Sequence, residues 1–225
     1  MNPDIKQAFD AYWGLRLEAC RKALENNGFE AYVVPDPGRA RDLIMETILP
    51  QIKPRTVSYG GSLTVEATGI LDEIRKRPDL EMHETMTVPG PREVRMERCR
   101  TALLTDLFLT GTNAVAETGL LVNLDMWGNR VGALAYGPRH VIVVAGRNKL
   151  AVDLEDAMAR VKRLAAPLNA IRHDLHTPRK TPCVATGVCA ECRGEWRICN
   201  TWVINEKSFP KGRIKVILIN GDWGL

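Results

Sequence analysis

No run in this 225-residue chain approaches the roughly 20 apolar residues needed to cross a bilayer, and its opening, MNPDIKQAFD, lacks the apolar core of a signal peptide. These two absences lead us to expect a protein of the cytoplasm with no transmembrane segment. Blocks of like charge are missing too. A net charge of +4 spread along the chain, with no basic tract, argues against a nucleic-acid partner, and a small anionic substrate is compatible with it. There is no internal repeat and no low-complexity segment. The four histidines, at 83, 140, 173 and 176, lack a shared metal-ligand spacing, and we read them as surface or satisfied side chains. No histidine and aspartate accompany Ser62 in a recognisable triad, so a serine-hydrolase reading has little support.

What is present begins with cysteine. Four of six cysteines crowd into Cys183-x5-Cys189-x2-Cys192-x6-Cys199, in a chain without an export signal. Reduced thiols around a metal fit that pattern better than a disulfide framework. Thiolates so close in sequence can close on one centre without long-range folding, and the spacing leaves zinc and an iron–sulfur cluster both open. Arg193, Arg197 and Lys180 are placed to offset thiolate charge. The plainer reading is a zinc staple for a loop without its own core.

The rest of the chain alternates helical and extended patterns. Residues 4–26 show three-and-four apolar spacing closed by Asn27-Gly28, so an N-terminal helical segment over 1–28 is expected. Strands are predicted at 31–34, 56–59, 80–83, 106–109, 140–145 and 213–219, and helices at 39–49, 64–74, 92–104 and 153–165. Leu164 belongs to the apolar face of the last. Alternation of this kind predicts a mainly parallel α/β sheet covered on both faces. The stretch 110–130 reads as a strand end, a ligand-facing loop and a hairpin, with 127–130 as its turn and 131–134 as the returning strand.

Two constellations carry candidate chemistry. Gly60, Gly61, Ser62 and Thr64 lie between a strand and a helix, the arrangement that offers backbone N–H groups to an anion, although Ser62 also suits a simple N-cap. Glu117 sits in a glycine-bounded loop, where it can serve as a base or nucleophile or merely accept backbone N–H groups. Asn113, Thr112 and Arg130 are expected to line the same pocket. Arg92, Arg95, Arg98 and Arg100 are interleaved with acids and read as a solvated helix face. Trp127, Trp196, Trp202 and Trp223 read as packing residues.

GGSLTVEATGI, DLFLTGTNAVAETGLLVNLDMWGNRV, GPRHVIVVAGRNKL, TPCVATGVCAECRGEWRICNTWVI and GRIKVILINGDWGL together resemble the lactate-utilisation (LUD) domain family, from about Gly28 onward. The most specific segments are A-x-A-E-T-G around Glu117 and R-I-C-N around Cys199. The resemblance implies one Rossmann-like α/β domain over 1–225, similar to sugar-phosphate isomerases and CoA transferases, with a cysteine-rich segment at 178–202. It implies a part in oxidising L-lactate to pyruvate beside iron–sulfur partner proteins. Carried over, the family's glycine-serine turn falls on Gly60, Gly61, Ser62 and Thr64, and its acidic turn on Ala116, Glu117, Thr118 and Gly119. Standing against that role are a free-standing transferase or isomerase for a small anionic acyl or sugar-phosphate ligand, and a non-enzymatic ligand-sensing module. Homo-oligomerisation is left open.

Overall fold

Three strands of the sequence are apolar at nearly every position because their two faces serve different cores. In Val141–Ala145, Val141, Val143 and Ala145 enter one hydrophobic cluster while Ile142 and Val144 enter another. Val216 and Leu218 oppose Ile217 and Ile219 in the same way, and Phe108 opposes Leu107 and Leu109. Successive side chains of a strand point to opposite faces, so continuous burial requires cover on both sides.

The computed structural model describes residues 3–85, 88–178 and 180–225. Helix α1 (Pro3–Asn26) leads to β1 (Glu30–Val34), and α2 (Pro37–Leu43) runs through a wide π-type turn, Ile44–Ile48, into α3 (Leu49–Ile52). Then come β2 (Thr56–Tyr59), α4 (Leu63–Thr68), α5 (Ile70–Arg75), β3 (Glu81–His83) and α6 (Arg92–Thr101). The middle holds β4 (Leu107–Gly111), β5 (Ala114–Ala116), β6 (Leu120–Asp125), α7 (Asn129–Ala135), β7 (His140–Gly146) and β8 (Leu150–Ala151). The chain continues through α8 (Leu154–Arg160), α9 (Ala166–Asp174), α10 (Pro182–Thr186), β9 (Thr201–Asn205) and β10 (Ile214–Ile219).

Six strands form one sheet in the order β1-β10-β7-β4-β2-β3, with every neighbouring pair parallel. The mainly parallel α/β expectation therefore holds. A second sheet, β8-β5-β6-β9, mixes parallel and antiparallel pairs and has its own apolar cluster against α8. Sequence patterning had not separated this sheet, because β5 and β8 are too short to show a period.

Three expectations are corrected. Residues 131–134 do not return as a strand: they lie in α7, whose first-turn N–H groups at Arg130 and Val131 donate to the Asp125 carboxylate at 3.1 and 3.2 Å. A side-chain acceptor for orphan amides starts a helix where alternation alone suggests a strand. The hairpin is instead β5–β6, with residues 117–119 as its turn. The helical run predicted over 39–49 extends through Pro50 to Ile52, Pro50 lying just past the π-type turn in the first turn of α3. Leu164 is 45% exposed, because the π-type turn Val161–Ala165 rotates it off the buried face.

Asp106 clamps the start of β4 to the start of β2. Its Oδ2 accepts the N–H groups of Arg55 and Thr56 at 2.9 and 3.1 Å, and the Thr56 hydroxyl accepts the Asp106 N–H at 2.9 Å. The Arg55 amide, then those of Thr56, hold the Asp106 carboxyl below the ordinary carboxylate range. A depressed pKa stabilises the fold above the unfolded value near pH 4, and that stabilisation is lost as pH falls through the folded value. Charge-assisted bonds are worth about 1.5–3 kcal/mol when shielded. This side chain is 32% exposed, so about 1 kcal/mol is expected. Asp106→Asn should therefore lower stability at pH 7 and differ little from the parent below about pH 3, as urea denaturation across pH would show.

Candidate functional site

The carboxyl ends of parallel strands are where an open α/β sheet gathers ligand-facing loops. Here β2 ends just before Gly60, β4 at Gly111, β7 at Gly146 and β10 just before Asn220. A side chain at Gly60 would meet the Arg130 and Phe108 side chains at 3.0 and 3.2 Å, and one at Gly111 would meet the Ser62 hydroxyl at 2.5 Å. These glycines let the turns approach one another.

Six of the expected binding residues lie at this edge. Ser62 caps α4, accepting the Val65 N–H at 3.3 Å, so its hydroxyl serves the helix. Thr64 is fully buried. Asn113 Oδ1 accepts from the Leu124 N–H and from Arg130, both at 2.9 Å. Arg130 also donates to the Asn123 side chain and to the carbonyls of Gly111 and Leu124. Every one of those acceptors is neutral. Gly60 lies against Arg130, while Gly61 opens to space in which an added Cβ would touch nothing. Thr112 is buried, and its hydroxyl donates to the Ala114 carbonyl at 3.0 Å.

Glu117, Thr118 and Gly119 lie at the far end of β5 and bear on α1. The Glu117 carboxylate pairs with Arg16 of α1, and Asn27 Nδ2 donates to the carbonyls of Thr118 and Gly119 at 3.1 and 3.0 Å. Gly119, at φ +87°, leaves no room for a side chain, since a Cβ would sit 2.5 Å from the Ala23 backbone. The A-x-A-E-T-G turn thus forms the seat of the N-terminal helix. The Arg130 group, reached through Asn113, and the Glu117 group are two separate constellations at opposite ends of β5.

Sequence reasoning missed Lys149, Asn148 and Arg160. Lys149 follows β7 and is only 4% exposed. Its ammonium donates to Thr64 Oγ1 at 3.0 Å. Desolvation, then the positive charges of Arg160 and Arg130, lower its pKa to about 7. Arg160 donates to the carbonyls of Asn113 and Asn148 at 2.6 and 3.0 Å, and burial lowers its pKa. The available signal was a strand of buried character ending in Gly146-Arg-Asn-Lys149, although nothing local to that motif says the lysine turns inward.

The cysteine segment is built differently. After α10 and a left-handed Gly187, residues 188–200 carry little regular structure until β9 joins β6. Cys183, Cys189, Cys192 and Cys199 all line one cavity of about 20 Å³, roofed by Ala166, Pro167, Thr181 and Ile198. Arg197 draws the segment together, donating to the carbonyls of Cys192 at 2.6 Å and Cys199 at 2.7 Å. Glu191 adopts φ +47° between Cys189 and Cys192 and pairs with Lys162 at 2.8 Å. Burial raises the Cys199 thiol pKa, opposed by Lys162 and Arg197. Among the described residues, no three His, Cys, Asp or Glu side chains already stand as a ligand set. Cys183 contacts the Thr181 hydroxyl at 3.4 Å and Cys189 the Glu191 carboxylate at 3.8 Å.

Among known proteins, the family model of the LUD domain matches residues 17–219. No curated protein matches the chain. The crystal structure of a DUF162 family protein from Deinococcus radiodurans shares the fold with a TM-score of 0.51 at 14% identity, covering 92% of this chain and 98% of that one. Among the described residues, no helix is long and apolar enough to cross a membrane.

Replacing the carboxylate that seats α1 should cost stability. Glu117→Gln keeps the shape of the side chain but gives up the charge on a pair whose two side chains are 25% and 27% exposed, for a loss of about 1 kcal/mol in chemical denaturation.

Proposed function

The chain belongs to the LUD domain family, which is associated with lactate utilisation; on that premise we propose that it takes part in oxidising L-lactate to pyruvate beside iron–sulfur partner proteins, with a metal centre on its own cysteines. The observation that carries the reading is the single cavity lined by Cys183, Cys189, Cys192 and Cys199. Four sulfur donors match both a tetrahedral zinc site and a four-cysteine iron–sulfur cluster. A cluster held there would pass single electrons, whereas zinc would fix the shape of the segment.

Basic side chains and backbone bonds around the cavity support this reading. Binding four thiolates concentrates negative charge, and Lys162 and Arg197 stand close enough to act on Cys199. The Arg197 guanidinium spans the Cys192 and Cys199 carbonyls, which holds two donors in register before any ion arrives. Cys199 packs in the apolar cluster of the second sheet, so that donor is anchored to the fold while the other three lie in the looser segment. Oxidation of lactate releases two electrons and two protons, and a neighbouring iron–sulfur protein would receive those electrons.

Protein purified without air should contain iron with acid-labile sulfide and absorb broadly in the visible range. Stoichiometric zinc without colour would leave the segment a structural staple and remove electron transfer from it. A folded chain holding neither element would overturn the metal reading. Cys192→Ser should lose the centre and lower the melting temperature of the loaded protein, because metal binding and ordering of such a segment are coupled. In the host, unchanged lactate oxidation after loss of this chain would remove the lactate role whatever the metal.

A further inference from the structure

Three cations gather at the carboxyl edge of the parallel sheet, Lys149 buried and Arg130 and Arg160 half-buried, and among the described residues none of them forms an ion pair. Arg130 and Arg160 spend their donors on neutral carbonyls and amides. Lys149 has three N–H donors, and among the described residues its ammonium finds one acceptor, the Thr64 hydroxyl. The nearest acids that act on this group are Asp125, on Arg130, and Asp156, on Arg160. Burying like charges together is expensive unless an anion joins them.

The space beside Lys149 is closed by the chain itself. Trp223 accepts the Thr64 hydroxyl at its carbonyl, 3.1 Å away. Asn148 pairs with this segment twice, donating to the Gly224 carbonyl and accepting the Trp223 N–H, each at 3.1 Å. Gly224 has φ +72°, and a Cβ there would collide with the Thr64 hydroxyl and lie 3.2 Å from Lys149 Nζ. The same segment is tied further out, where Arg147 bonds the Gly221 carbonyl at 3.0 Å through its N–H and Asp222 at 3.2 Å through its side chain. Thus the Trp223 and Gly224 carbonyls take up the Thr64 hydroxyl and the Asn148 amide, two neutral donors beside the Lys149 ammonium that an oxyanion could claim instead.

We propose that Lys149, Thr64 and Asn148, backed by Arg130 and Arg160, form a binding site for a small oxyanion, and that residues 221–224 are a strap the anion displaces. A carboxylate and a phosphate offer the same charged oxygens to this set, so either can be the source. The proposal does not rest on the metal centre. It deepens the lactate reading only if the anion proves to be a carboxylate.

Proton linkage gives a test without mutation. Among the described residues, the groups facing the Lys149 amine are Thr64 on α4, Arg130 on α7, Arg160 on α8 and the 223–224 backbone, and none of these is an acid. A bound anion stabilises the ammonium, so binding above pH 7 takes up a proton and affinity falls as pH rises. Titrate the full chain calorimetrically with pyruvate and, separately, with inorganic phosphate, at pH 6.5 and 8.5, in buffers of different ionisation enthalpy. One anion should bind with proton uptake at the higher pH, and amide exchange of residues 221–224 should speed up when it does. Lys149→Met should weaken binding roughly ten- to a hundredfold, and Gly224→Ala, which unseats the strap, should tighten it. Binding of phosphate alone keeps the site and excludes the lactate product from it. Binding of neither anion to the parent chain, binding indifferent to Lys149→Met in a folded variant, or binding without proton uptake overturns the proposal.

Discussion

The cost of enclosing positive charge organises the carboxyl edge of the sheet. Arg130 is bonded to four neutral acceptors drawn from β4, the β4–β5 loop and β6, and in meeting its donors it joins the two sheets. Arg160 does the same from α8, reaching the Asn113 and Asn148 carbonyls. These guanidiniums are the bolts between the parallel sheet and the mixed one. A guanidinium suits that duty because its fork of donors is planar and hard to deprotonate, whereas Lys149 in the same neighbourhood gives way and its pKa falls to about 7.

The second sheet also explains how a loose cysteine segment becomes part of the fold. Strand β9 pairs with β6 directly after Cys199, and the Asn200 N–H reaches the Asp125 carbonyl at 2.8 Å. Asp125 receives the first amides of α7 through its side chain, so one residue connects the cysteine segment, the hairpin and the helix that carries Arg130. The cation edge and the cysteine cavity are therefore not independent pieces of surface. They share β6 as a common support.

On the other flank, the hairpin turn does a different task. Glu117, Thr118 and Gly119 hold α1 through an ion pair, two side-chain bonds to carbonyls and a contact too close for any side chain. A short glycine turn with one acid is the same in sequence whether it faces a ligand or a helix. Proximity along the chain to Asn113 suggested a shared pocket with Arg130, yet β5 carries the turn away from that edge, because a strand advances about 3.3 Å with each residue.

The sequence alone determined the parallel sheet, since β-branched runs such as His140–Ala145 bury both faces only under two helical layers. It also determined the clustering of four cysteines, because they are close neighbours along the chain. The helix at 129–135, the second sheet, the inward turn of Lys149 and the seating of 221–224 over Thr64 were decided by tertiary structure. Each depends on a partner many residues away: an Asp125 carboxylate, a β9 edge, a Thr64 hydroxyl. Local pattern records which face of an element is apolar. It does not record which distant polar group will meet the ends of that element, and there the candidate ligand chemistry of this protein resides.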